Sequence, residues 1–170
     1  MLASAALVGA TACSPSGGVE DSTETTVPSS SQRTLASVDP CAVLSDAELK
    51  SFGLKGAGEL KDELPWSPRC YYEGDPVNMS LEKNPRRTVA SAEQQDTWAE
   101  FERVEVNGRA GARAITKGAT QARTCNVMFD AGQGTMLVRT REVHLPDDLD
   151  ECAEALKIAE TVEPKVPEPA

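Results

Sequence analysis

At 170 residues with 39% hydrophobic content, the chain has material for one domain once export and tethering segments are set aside. Its 17 basic and 27 acidic residues leave a net charge of -10. That balance argues against general nucleic-acid binding and describes a soluble body repelled by an anionic surface.

The apolar run from Leu2 to Ala12 is about half the roughly twenty residues that a helix needs to span a hydrocarbon core. It therefore reads as a signal-peptide core over residues 1–12 rather than as a transmembrane helix. It closes on Ala10-Thr11-Ala12-Cys13, which resembles the lipobox of bacterial lipoproteins, where small side chains suit the peptidase and the thiol carries a diacylglycerol. Cys13 is thus the expected lipidation site. Ala10 stands where leucine is commoner, and no Lys or Arg precedes Arg33, so the signal is expected to be incomplete at its N terminus. The rival reading is an uncleaved apolar terminus with an incidental cysteine; the Ser14-Pro15-Ser16-Gly17-Gly18 continuation counts against it.

From Ser14 to about Thr34 the residues are Ser, Thr, Pro, Gly and acids apart from Gln32 and Arg33, with only Val19 and Val27 apolar. Such a stretch cannot bury enough surface to offset ordering entropy, so 13–37 is expected to be a lipidated, disordered tether with a reach of roughly 25 Å.

Five cysteines divide as one plus four: Cys13 for lipid, and Cys41, Cys70, Cys125 and Cys152 for two bridges in an oxidising compartment. Four cysteines allow three connectivities; the elements they sit on favour 41 with 70 and 125 with 152. Each bridge would contribute roughly 3 to 4 kcal/mol on the chain-entropy account. No CxxC or CxxH spacing supports a metal site instead.

The domain is expected over 38–163. Ser45 and Glu48 form a capping box, and Gly53 follows Phe52, predicting a short helix with Leu44, Leu49 and Phe52 inward. Leu54 to Pro68, with Gly56, Gly58, Pro65 and Pro68, reads as a loop with Trp66 packed over the edge of the core. Cys70-Tyr71-Tyr72 and Val77 to Leu81 read as strands around Gly74-Asp75-Pro76. Ser91 to Glu100 has helical spacing, with Ser91 and Gln94 as a capping box. Phe101 to Val106 and Arg109 to Ile115 flank Asn107-Gly108, a strong hairpin signal because a type I′ turn needs positive φ at both positions. Thr124 to Asp130 and Thr135 to Glu142 form a second hairpin about Gly132-Gln133-Gly134. A helix is predicted from Asp147 to about Val162, its first turn rich in acids that complement the helix dipole. Pro164, Pro167 and Pro169 end it, leaving 164–170 as a disordered tail.

The expected architecture is α+β: one antiparallel sheet of five or six strands, with N- and C-terminal helices on one face and two disulfides. The series Asp39-Pro40-Cys41-Ala42-Val43-Leu44, Cys70-Tyr71-Tyr72, Val106-Asn107-Gly108-Arg109-Ala110-Gly111, Cys125-Asn126-Val127 and Asp150-Glu151-Cys152 resembles the DUF3558 family of actinobacterial lipoproteins. The resemblance covers roughly Asp39 to Val162. It implies an exported, lipid-anchored domain and supplies no catalytic residues to carry over.

A Ser or Cys nucleophile needs a base, and the one histidine is His144, at a strand end beside Leu145-Pro146. No Gly-x-Ser-x-Gly elbow presents a serine. The run Asp147-Asp148-Leu149-Asp150-Glu151 lacks the glycine and ligand spacing of a calcium loop. Charge placement is the remaining signal: Lys83 to Arg141 holds ten basic and six acidic residues, net +4, leaving -14 to the flanks. Alternation sends Arg109 and Arg113 to one side of their strand, and Arg139 and Arg141 to one side of theirs. Aligned across the sheet they would form an outer face for phosphate or carboxylate groups; the alternative is an ordinary solvated face. The expectation is a monomeric, non-enzymatic binding or accessory module without metal or cofactor. It would be held on the outer face of the cell membrane and recognise a protein or an anionic envelope polymer, not nucleic acid. The alternatives are a structural envelope protein without specific ligand, or an enzyme of unknown type.

Overall fold

A computed structural model describes residues 34–62, 64–119, 123–144 and 149–170. The signal, Cys13 and nearly all of the expected tether lie outside the described residues, as do Asp147 and Asp148. The ordered body starts earlier than 38: a single 3-10 turn, Leu35–Ser37, buries Leu35 in the core.

Ser45 opens the first helix, α1 (Asp46–Ser51), with both halves of the expected capping box in place. The Glu48 N–H donates to Ser45 Oγ at 3.4 Å, and the Ser45 N–H donates to Glu48 Oε2 at 2.8 Å. Leu44 and Leu49 are buried, and half-buried Phe52 packs against the same core. Gly53 turns the chain at φ 69°, and a Cβ there would lie 1.9 Å from the Asp75 carbonyl oxygen. Only glycine permits that approach.

The stretch expected to be a loop is instead a strand, β1 (Leu54–Lys61), which pairs with β2 (Arg69–Gly74). Its glycines serve the strand. Gly56, at φ 64°, lies where the register shifts between Lys55 and Glu59, and Gly58 leaves room for the Cys70 sulfur, which a Cβ would meet at 2.2 Å. Glycine in a strand marks a bulge or a close approach as readily as a loop. Trp66 does not pack into the core edge; it stays 44% exposed, with the Arg86 guanidinium 5.5 Å from its ring centre.

After β3 (Val77–Asn84) comes α2 (Val89–Glu93), shorter than expected and begun one turn earlier. Thr88 accepts from the Ser91 N–H at 3.2 Å, so Ser91 is the third helical residue and not the cap. The expected helix therefore stops before Trp98, which begins β4 (Trp98–Val106) opposite Thr116 of β5 (Arg109–Thr116). Sheet pairing overrides the helical spacing of Trp98 and Ala99. The turn between β4 and β5 has φ 50° at Asn107 and 87° at Gly108, as expected. β6 (Thr124–Ala131) and β7 (Gly134–Glu142) form the second hairpin. The last helix, α3 (Glu151–Val162), is capped by Asp150, whose carboxylate accepts from the Ala153 N–H at 2.9 Å.

The seven strands form one antiparallel sheet in the order β1-β2-β3-β7-β6-β5-β4. β1 is the strand beyond the expected five or six. On one face, Tyr72, Met79, Leu81, Phe129 and Val138 share a core with Leu49 of α1 and Ile158, Ala159 and Val162 of α3. Each large buried side chain there contributes roughly 1.5 to 3 kcal/mol of burial. On the other face α2 covers only part of the sheet, where Val89 and Ala92 meet Ala112, Ala114, Met128 and Leu137.

The disulfides join Cys41 to Cys70 and Cys125 to Cys152, each with Cα atoms 5.1 Å apart. This is the pairing expected from the elements they sit on. The first ties the turn before α1 to β2, and the second ties β6 to the first turn of α3. The proline tail is ordered, contrary to expectation. After a 3-10 turn at Glu163–Lys165, Val166 is buried, the Gly132 N–H donates to Glu168 O at 3.0 Å, and the Ala170 N–H donates to Gly132 O at 2.8 Å. Prolines at 167 and 169 lose no donor because the pairing donors come from Gly132 and Ala170.

The Lys165 ammonium clasps the Glu48 carboxylate, tying the C-terminal turn to the α1 cap. Together with the Ser45 hydrogen bonds it lowers the Glu48 pKa to about 2 from 4.5. A depressed folded-state pKa stabilises the protein above the unfolded value, and that contribution fades as pH falls from 4.5 toward 2. Urea unfolding across that window should lose stability in the wild type, with a shallower acid slope in Lys165→Met.

Candidate functional site

The face of the sheet opposite α1 and α3 is divided by composition. Its apolar part lies beneath α2; the rest, across β1, β2, β3, β7 and part of β6, is polar and uncovered. Alternation and register build it row by row. Tyr71 pairs with Ser80, Ser80 with Arg139, and Arg139 with Asn126. Beside that row Asn78 pairs with Arg141, and Arg141 with Thr124. On the other side Lys61 pairs with Arg69, and Arg69 with Glu82. These residues surround a cleft of about 460 Å³ whose lining includes Lys61, Arg69, Tyr71, Asn78, Ser80, Arg139 and Arg141.

Arg139 is set in place from beneath. Its Nε donates to Asn126 Oδ1 at 2.8 Å, and the buried Asn126 amide donates in turn to Ala114 O at 3.1 Å. Burial pushes the Arg139 pKa below the usual arginine value; Glu82 opposes that shift and Arg69 adds to it. The Arg139 terminal amino groups and the exposed Arg141 guanidinium have no carboxylate or hydrogen-bond partner among the described residues. Ser80 is 8% exposed, and its hydroxyl likewise has no partner among the described residues. Asn78 accepts from the Gly74 N–H through Oδ1 at 3.0 Å, which orients its amide. The acids nearby are engaged: Glu59 with Lys61, and Glu82 with the Ser67 hydroxyl.

A larger hollow, about 730 Å³, lies between α1 and β1, but its polar side chains, Asp46, Lys50 and Lys55, are all solvent-exposed. Converging, partly desolvated polar groups distinguish the β-face cleft.

The four arginines singled out from sequence do not share a face. Arg113 stands opposite Val127, on the α3 side of the sheet, whereas Arg139 stands opposite Asn126 on the other side. Arg113 is exposed and pairs with Glu102. Arg109 is 93% buried: its guanidinium meets Glu163 and Glu168, and its NH1 donates to Pro167 O at 2.7 Å. It fastens the C-terminal segment and faces no ligand. Arg139 and Arg141 remain together, joined by Arg69, Tyr71 and Lys61, which sequence reasoning missed. Alternation about Cys70 already put Arg69 and Tyr71 on the side away from that buried residue; Lys61 needed β1 to be recognised as a strand.

His144 lies at the surface, with Nε2 2.9 Å from Asp75 Oδ1. Among the described residues no group of three or more His, Cys, Asp or Glu is placed to hold a metal. No helix among them is long and apolar enough to cross a membrane.

The sequence over residues 8–165 matches the family described as "Protein of unknown function (DUF3558)". The chain belongs to the DUF3558 family. No curated protein and no solved structure matches it. In this DUF3558 protein the buried Arg109 joins the β4–β5 hairpin to the chain end. Arg109→Met leaves Glu163 buried without its cationic partner, which costs about 3 to 5 kcal/mol. Urea unfolding should register that loss, and amide exchange should accelerate at Val166 to Ala170.

Proposed function

We propose that this protein is an exported, lipid-anchored binding module without catalytic activity, held at the outer face of the membrane by a diacylglycerol on Cys13. The uncovered β-face cleft serves an anionic partner in the cell envelope. The observation that carries this reading is the clustering of Lys61, Arg69, Arg139 and Arg141 around one cleft in a chain whose net charge is -10. An acidic body with one cationic cleft is repelled by anionic surfaces generally and attracts an anion at a chosen place.

The anchor is supported by Ala10-Thr11-Ala12-Cys13 and by cysteine count: the two disulfides use four of the five cysteines and leave Cys13. Two structural disulfides suit an oxidising compartment outside the cytoplasm.

Two measurements test the reading. Cys13→Ala should move the protein from the membrane pellet to the soluble fraction; continued sedimentation with membranes rejects lipid anchoring. Arg139→Ser with Arg141→Ser should reduce retention on purified envelope fractions at low salt, and retention that is unchanged and insensitive to salt rejects the cleft as the binding surface.

A further inference from the structure

Taking the cleft as the binding surface proposed above, we infer that its ligand is a phosphorylated sugar, with the phosphate on Arg139 and Arg141 and the hydroxyls on the flanking neutral groups. The two arginines are two residues apart on one strand, so their Cα atoms are about 7 Å apart and both long side chains can reach a single phosphate. Neither guanidinium makes an ion pair with a carboxylate among the described residues, although Glu82 attracts Arg139 from nearby, and Arg139 is aimed by the Asn126 hydrogen bond. A guanidinium held in a fixed orientation and partly desolvated loses less on binding an oxyanion than a mobile surface lysine does.

A bare anion site would not need what surrounds them. Ser80 sits directly opposite Arg139, and Asn78 directly opposite Arg141. Ser80 lines the cleft, and although the residue as a whole is 8% exposed, its hydroxyl is open to the cleft and has no partner among the described residues. A hydroxyl on the cleft floor can exchange water for a ligand hydroxyl and fix its position. The Asn78 amide nitrogen is likewise open beside the oriented Oδ1. Next in the row, Tyr71 brings an aromatic ring and a phenol to the cleft. Neutral donors and acceptors beside an aromatic surface and a cationic pair match a polyhydroxylated ring bearing a phosphate ester. The volume of about 460 Å³ suits one such unit or a short stretch of polymer.

The test uses the full chain in detergent and isothermal titration with three probes: glucose 1-phosphate, glucose and inorganic phosphate. Glucose 1-phosphate should bind at least about tenfold more tightly than either of the others. Arg141→Ser, which removes an exposed side chain with no described partner, should weaken it about tenfold, and Ser80→Ala should weaken it about threefold without altering phosphate binding. Inorganic phosphate binding as tightly as the sugar phosphate overturns the inference, as does absence of glucose 1-phosphate binding or indifference to Arg141→Ser. Competition by phosphatidylinositol, whose headgroup is a phosphorylated polyhydroxylated ring, carried in the same detergent micelles assigns the ester to a lipid headgroup; no competition assigns it to a soluble or polymeric glycan. If the arginine double variant loses envelope retention while glucose 1-phosphate fails to bind, the ligand class falls and the binding surface stands. If both fail, both readings fall.

Discussion

The pairing of β3 with β7 joins the two halves of this molecule. Eight residue pairs, from Val77 with Glu142 to Asn84 with Thr135, connect a three-stranded meander to a four-stranded one. The register of that one ladder decides which side chains of the central strands enter the core. Met79, Leu81, Met136 and Val138 go to the helix side, and Ser80, Arg139 and Arg141 go to the other. A slip of β7 by one residue would reverse its side chains, placing two guanidiniums beneath α3 and turning Met136 and Val138 out of the core. The buried apolar set on the helix side makes such a slip far too costly to be populated.

Around that ladder the covalent and ionic ties fasten the outlying segments. Each disulfide holds a segment on the helical side to a strand: one to β2, one to β6. Arg109 and Asn107 hold the far end. Asn107 completes the β4–β5 turn and donates to Glu160 O at 2.8 Å and Glu163 Oε2 at 3.0 Å, so the same residue caps the last turn of α3. Lys165 then reaches the Glu48 cap of α1, so the chain end is bonded to both α1 and the hairpin. The strengths differ in kind: Arg109 and Glu163 are buried and costly to separate, whereas Arg113 with Glu102 is solvated and contributes little.

The two faces of the sheet divide the work. The helix side is apolar and closed. On the other side α2 and its few aliphatic contacts cover the part of the sheet beneath Val89 and Ala92, and the polar remainder, where Asn126 orients Arg139, is left to solvent. Side chains held in place by hydrogen bonds from beneath, as Asn126 holds Arg139, keep one orientation at the sheet surface.

Much of the fold was readable from local chemistry. The capping box at Ser45, the Asn107-Gly108 turn and the alternating strands on either side depend on residues within one turn or one strand of each other, and local geometry is enough to determine them. The even count of cysteines after Cys13 indicated two bridges, and the helices and strands that carry them favoured the pairing found. What tertiary structure alone decided follows from contacts between residues distant in sequence. Gly58 looks like a loop glycine until Cys70 and Tyr72 come to lie against it, and Trp98 looks helical until β5 pairs with it. The proline-rich end looks disordered until Gly132 and Arg109 supply its partners. Arg109, Arg113, Arg139 and Arg141 look equivalent on their separate strands. Alternation within a strand specifies which side chains share a face, but only the cross-strand register specifies which face that is. For that reason one arginine became a buried tie, one a solvated ion pair, and two the floor of a cleft.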